Sequence, residues 1–203
     1  MTWPVTLTAD GVTLRPLRLR DARAWRELRS HNATWLRPWE GTLPPVAQRQ
    51  AELPSSYGQM VRRQRAEAKA GRMLPWAIEV DGELAGQVTV GAIAYGSLRG
   101  AYIGYWIDER RAGRGIMPTA VAMACDYCFD VLHLHRIEIN IRPENAASLR
   151  VVEKLGLRCE GTSPGYLHID GEWRDHLRFA VLDNEFPGGV LQRLRTSRHA
   201  DHG

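Results

Sequence analysis

Apolar and polar positions change their period several times along this chain. Val12 to Leu19 reads as a strand, and Asp21 then caps a short helix carrying Ala24, Trp25 and Leu28. His31 to Pro45 has no clear period and carries Trp35, Pro38, Trp39, Pro44 and Pro45. Val46 to Ala70 has helical spacing, with a break expected at Pro54. Trp76 to Val80 and Leu84 to Tyr95 read as strands joined at Asp81-Gly82, a strong hairpin signal. Ala101 to Ile107 is another strand. Met117, Ala120, Val121, Ala124, Cys128 and Val131 then repeat at helical spacing over Ile116 to Leu132. Arg136 to Ile141 alternates, with Ile137, Ile139 and Ile141 on one face. Asn145 caps a helix that stops at Gly156. Leu157 to Ile169 and Trp173 to Leu182 are two strands joined by Asp170-Gly171. This order predicts an α/β (α+β) domain over 1–183, with helices on both faces of a mixed sheet. The polar stretch 184–203, with Pro187-Gly188-Gly189 at its start, is expected to fray.

The 203 residues suit one domain, and 44% apolar content is enough for a core. No apolar run approaches the length of about 18 residues that a membrane span needs. Met1 to Asp10 lacks the basic start and apolar stretch of a signal peptide. Three cysteines, Cys125, Cys128 and Cys159, argue against a disulfide framework and for a reducing, cytoplasmic compartment. Cys125 and Cys128 lie in an amphipathic helix without a second pair, so they read as core and no metal is expected. The net charge is +4. Lys occurs only at positions 69 and 154, so the basic residues are nearly all Arg. That suits phosphate binding, although a GC-rich coding bias produces the same composition. The charge is spread along the chain, unlike the stripe of a dedicated nucleic-acid binder.

The informative stretch runs from Ile103 to Met117: a strand, then Asp-Glu-Arg-Arg-Ala-Gly-Arg-Gly, then a helix. Gly113 and Gly115 permit a tight turn and close approach of a ligand. The helix start aims unpaired N–H groups back at that turn, which makes an anion site. No Gly-x-x-x-x-Gly-Lys-Ser/Thr is present, and no third glycine stands at dinucleotide-binding spacing.

With Asn145, Ser148 and Val152-Glu153-Lys154-Leu155-Gly156-Leu157 downstream, the chain resembles the GNAT superfamily of acyl-coenzyme A N-acyltransferases from about Leu7 to Leu182. Gly104-Tyr105-Trp106-Ile107, Gly113-Arg114-Gly115-Ile116-Met117, Arg158-Cys159-Glu160-Gly161 and Tyr166 to His176 are similar to its RimJ/RimL branch, which acetylates protein N-termini, including a ribosomal-protein alanine. The resemblance implies a mostly antiparallel sheet and acetyl-coenzyme A as co-substrate. It implies a cofactor site of Trp106, Ile107, Asp108, Gly113, Arg114, Gly115, Ile116, Met117, Pro118 and Asn145. The superfamily motif fits Arg110 to Gly115 literally. A register set by Ile116 instead puts Ala112 and Met117 at its ends, and we prefer that register. Many members carry a proton-donating Tyr at the position that here is Val152, so that role must fall elsewhere.

Acyl transfer needs a neutral amine and a proton for the leaving sulfur. A protein α-amine has a pKa of about 7.7–8.0 and lysine about 10.4, so an N-terminal amine needs only a modest base. By resemblance Glu160 is the first choice for that base, and Glu160→Gln is expected to cost about 10²-fold in turnover. Glu138, on the polar face of its strand, is the rival. Ser148, in the first turn after the Asn145 cap, is the candidate donor to the thiolate. Trp35, Trp39, Tyr102, Tyr166, His168 and Trp173 are candidates for an acceptor groove. The expected partners are coenzyme A and a protein N-terminus, with a ribosomal protein in view. No membrane and no primary nucleic-acid role are expected, and monomer or homodimer is left open. Acetylation of a small amine, such as a polyamine or aminoglycoside, and a non-catalytic acyl-coenzyme A-binding module are the competing readings.

Overall fold

A computed structural model describes residues 3–48 and 54–200. Eight strands form one sheet in the order β1-β2-β3-β4-β5-β6-β8-β7. They are β1 (Leu7–Ala9), β2 (Val12–Pro16), β3 (Leu74–Val80), β4 (Glu83–Ala94), β5 (Gly100–Ile107), β6 (Arg136–Ile141), β7 (Arg158–Ile169) and β8 (Glu172–Leu182). Every neighbouring pair is antiparallel except β5–β6. The helices are α1 (Ala22–His31), α2 (Ala33–Leu36), α3 (Pro45–Gln48), α4 (Tyr57–Lys69), α5 (Ile116–Asp130), α6 (Ala146–Leu155) and α7 (Val190–Ala200). Residues 49–53 of the expected helical stretch, and the end of the tail, lie outside the described residues.

The two-residue period divides the sheet between two cores. On β3, Leu74, Trp76 and Ile78 face the large core built on α5, α6 and α7, while Ala77 joins Leu17, Leu28, Val61 and Leu84 under α1 and α4. Helix α5 is apolar nearly all round because it is covered on all sides; Ala120, Ala124, Cys125 and Cys128 are fully buried. Trp76, also fully buried, sends its indole N–H to Val5 O at 3.1 Å.

The chain departs from expectation in three places. An added strand, β1, pairs with β2 through Asp10-Gly11, both at positive φ. The predicted first strand stops at Pro16, and Leu19–Asp21 is a 3-10 turn whose Asp21 is drawn to the buried Arg15 at 2.8 Å. The stretch expected to fray instead folds as α7, whose Val190 and Leu194 are buried against α5. Asp126 of α5 explains the docking: its carboxylate accepts the Val190 and Leu191 N–H groups at 2.7 and 3.1 Å and caps α7.

Candidate active site

Strands β5 and β6 pair only through Gly100–Tyr102 and Arg136–Glu138. Beyond that register β5 has no strand on its β6 side, so alternate N–H and C=O groups of residues 103–107 face a gap. Two cavities open there, of about 460 and 350 Å³. Trp39, Tyr102, Gly104, Tyr105, Asn145 and Ser148 line both, so the cavities meet at the middle of β5 and the first turn of α6. A Cβ on Gly104 would meet nothing within 4 Å, so the absence of a side chain there is what leaves the slot open.

The larger cavity runs along Trp106 and Ile107 to Gly113, Gly115, Ile116, Met117 and Pro118. Gly113 and Gly115 sit at φ 78° and 77°, the left-handed region that glycine adopts at no steric cost. Gly115 is the N-cap of α5, so the first-turn N–H groups of Ile116 and Met117 are free of the helix ladder. Pro118 has no N–H to leave unpaired and its fixed φ suits a first turn. Arg111, Arg150 and Lys154 stand on the same wall. Glycine turn, helix dipole and cations together make a site for a diphosphate. Arg114 is exposed between the two glycines and does not line the cavity.

Asp108 departs from its expected place. It is buried, its N–H is donated to Ala85 O at 2.8 Å, and its carboxylate holds Arg110 and the Asn32 amide. It therefore braces the loop from behind. Asn32, fully buried at the end of α1, completes the brace by accepting the Glu109 N–H at 2.9 Å. Arg198 of α7 is a further support: its guanidinium donates to Gly115 O and Thr119 Oγ1, each at 3.0 Å. Neither Asn32 nor Arg198 was legible as a site residue, because each reaches the loop across the tertiary fold.

Asn145 caps α6, its side-chain oxygen accepting the Ser148 N–H at 3.0 Å. That bond sets Ser148 in the first turn, on the wall common to both cavities. Tyr105 stands opposite, its hydroxyl 3.5 Å from Ser148 O, and burial raises its pKa, so the phenol stays protonated at neutral pH. Val152, at the position of the absent Tyr, is core.

The expected carboxylates lie elsewhere. Glu160 lines neither cavity. Its carboxylate is held by Arg136 and, at 3.0 Å, by Arg158, and the bond from Arg136 above all lowers its pKa to about 2. A carboxylate so stabilised is a poor proton acceptor. Glu138 also lies off both cavity walls and accepts from Arg136 Nε at 2.8 Å. The smaller cavity is lined instead by Asn140, Arg142, Tyr166, Leu167 and His176. Of the expected aromatics, Trp35, Trp39 and Tyr102 wall the larger cavity and Trp39, Tyr102 and Tyr166 the smaller. His168 is taken up by Thr42, whose Oγ1 is 2.8 Å from its Nδ1, and Trp173 packs edge-on to it. Among the described residues no three His, Cys, Asp or Glu side chains converge as metal ligands, and no helix is long and apolar enough to cross a membrane.

Comparison with known proteins agrees with this geometry. Residues 12–158 match the acetyltransferase (GNAT) domain family. The chain is 30% identical over 187 residues to the [ribosomal protein uS5]-alanine N-acetyltransferase of Escherichia coli, covering 91% of this chain and 94% of that one. It is 43% identical to the probable N-acetyltransferase YjcK of Bacillus subtilis over 103 residues, 51% of this chain and 57% of YjcK. The solved structure of Mycobacterium smegmatis RimJ in complex with CoA-disulfide superposes with a TM-score of 0.88 at 43% identity, over 97% of this chain and 96% of that one. A parallel pair of strands split open beside a glycine turn at a helix start, matched over most of the chain by these relatives, leads to one conclusion: the protein belongs to the GNAT acetyltransferase family and is an N-acetyltransferase.

Proposed function

We propose that this enzyme transfers the acetyl group of acetyl-coenzyme A to the N-terminal α-amine of a protein, of the ribosomal-protein-alanine type. The observation that carries this reading is the meeting of two cavities at Gly104, Tyr105 and Ser148, one ending at the diphosphate turn and the other at an aromatic-walled mouth. The relatives named for acetylation of ribosomal-protein alanine support the choice of acceptor.

In this reading Gly113, Gly115, Ile116 and Met117 hold the diphosphate through main-chain N–H groups. The pantetheine arm lies in the slot over Gly104, beside Trp106 and Ile107. A main-chain N–H of β5 polarises the thioester carbonyl, and Ser148 Oγ donates to the sulfur as it leaves, helped by the α6 dipole. The acceptor amine enters through the smaller cavity past Trp39, Tyr102 and Tyr166. At pH 7 an α-amine pays about 1.4 kcal/mol to lose its proton and a lysine about 4.6 kcal/mol. Glu40, the carboxylate on the larger cavity's wall, is bound by both guanidinium nitrogens of Arg29, so the site offers no free carboxylate base and suits the α-amine.

The test is incubation with acetyl-coenzyme A and a panel of acceptors: Ala- and Ser-starting peptides, a lysine peptide with a blocked N-terminus, and spermidine. Free thiol and product mass are followed. The Ala-starting peptide is expected to lead. Turnover of spermidine alone sinks the N-terminal reading, and tight coenzyme binding without turnover of any amine leaves a binding module.

A further inference from the structure

The acceptor cavity contains one titratable side chain with the chemistry of a base, and it is neither expected glutamate. His176, on β8 opposite Ser163, is buried at 3% exposure yet lines the smaller cavity. Its Nδ1 lies 3.1 Å from Arg174 O. A carbonyl oxygen only accepts, so Nδ1 carries the hydrogen and Nε2 presents a lone pair. That nitrogen has no hydrogen-bond partner among the described residues. The ring packs against Tyr166 at 5.2 Å, which fixes its plane. The amide oxygen of Asn140, on the same wall, also lacks a donor. The free acceptor of His176 matches a ligand that brings an N–H group.

We propose that His176 is the proton acceptor for the incoming amine, its Nε2 taking the ammonium proton directly or across one water. This rests on the N-terminal acetyltransferase reading above. His168 shows the contrast: its Nδ1 is occupied by Thr42, it lines neither cavity, and it is structural.

The groups facing His176 keep it neutral. Burial is the largest influence and lowers its pKa from the ordinary 6.5, and the Arg142 charge acts the same way. The bond to Arg174 O and the charges of Glu144 and Asp175 oppose them. Tyr166, the remaining titratable neighbour, has its pKa raised by burial and stays neutral. Proton transfer from an α-ammonium of pKa about 8 to an imidazole held below its ordinary 6.5 carries a disadvantage of more than about 30-fold. To Glu160, at about 2, it carries roughly 10⁶-fold.

One ammonium proton passes to Nε2. The freed lone pair forms the C–N bond at the thioester carbon, and the C–S bond breaks. The second proton of the attacking nitrogen reaches the sulfur through Ser148 Oγ, giving amide and free thiol. His176 then releases its proton to solvent.

The experiment is the pH dependence of kcat/KM for Ala- and Ser-starting peptides, with coenzyme affinity measured separately as a check on the fold. In the wild-type enzyme the acidic limb is expected below the ordinary imidazole value and at the same pH for both peptides, although the Ser amine is the less basic. A limb that follows the amine of each peptide overturns the proposal without any variant. In His176→Gln the limb is expected to move up to the amine's own pKa, with a loss of about 10²-fold at pH 7, and added imidazole is expected to restore part of the rate in His176→Ala. A His176→Gln enzyme that binds coenzyme and keeps the wild-type limb overturns the proposal alone. Failure of the wild-type enzyme to acetylate either peptide overturns the functional reading beneath it.

Discussion

Glu160 and Ser148 show how differently two residues of one motif set are used. Glu160 sits between two guanidinium groups, so its ionised form is favoured in the folded chain. Its folded pKa of about 2 lies below the ordinary 4.5. The stability it contributes is therefore present above about pH 4.5 and is lost as pH falls through about 2. Glu160→Gln is expected to cost about 1 kcal/mol at pH 7, in the range of partly exposed ion pairs. Denaturation of both proteins across pH should show the difference closing on the acid side. Turnover should stay well inside the about 10²-fold loss that deleting a general base causes. Ser148→Ala should behave in the opposite way. Its backbone N–H still reaches Asn145, so α6 and coenzyme affinity hold, while kcat falls by about 10²-fold for want of a donor to the sulfur.

At the scale of elements, α5 and α7 clasp each other at both ends. Asp126 of α5 caps α7, and Arg198 in the last turn of α7 reaches back to Gly115 at the start of α5. A cation beside a helix N-terminus is opposed by the helix dipole unless an anion joins it. Asp10 offsets Arg198 from 3.6 Å, and a bound diphosphate would offset it further. Arg198→Ala is accordingly expected to weaken coenzyme binding by about tenfold, the worth of one charge-assisted hydrogen bond, with Arg198→Lys between. Calorimetric titration with coenzyme A measures this, and unchanged affinity would confine α7 to a packing role.

For the whole molecule, the functional feature is a place where the sheet fails to close. The β5–β6 ladder ends after Tyr102, while each strand keeps its partner on the other side. β6 continues along β8, and β5 along β4. The slot between them is kept clear by Gly104. A Cβ at position 104 meets nothing within 4 Å and no positive φ is needed there, so the free Gly104→Leu protein should unfold at nearly the wild-type temperature. Coenzyme binding should nevertheless be lost, because the added side chain occupies the pantetheine path. Thermal melts with and without coenzyme A separate the two effects.

Local chemistry alone determined the element order from β2 to β8, the α5 start and the Asn145 cap. Each follows from short-range rules: alternation, glycine at a left-handed turn, and a side chain that accepts an N–H three residues on. The Asp10-Gly11 signal for β1 was equally local but bordered too short a strand to show a period. Tertiary structure alone decided which charged residues work at the cleft. Glu160 and Glu138 lie on strands at suitable spacing, yet Arg136, brought alongside by the sheet, claims both. Asn32 and Arg198 have no local signature, since each reaches a partner distant in sequence, and His176 is marked only by the cavity it lines. A tail polar enough to suggest fraying became a helix because Val190 and Leu194 found an apolar face on α5 that only the folded core presents. Sequence pattern records what a residue does to its neighbours in the chain; a pKa or an open slot depends on neighbours in space.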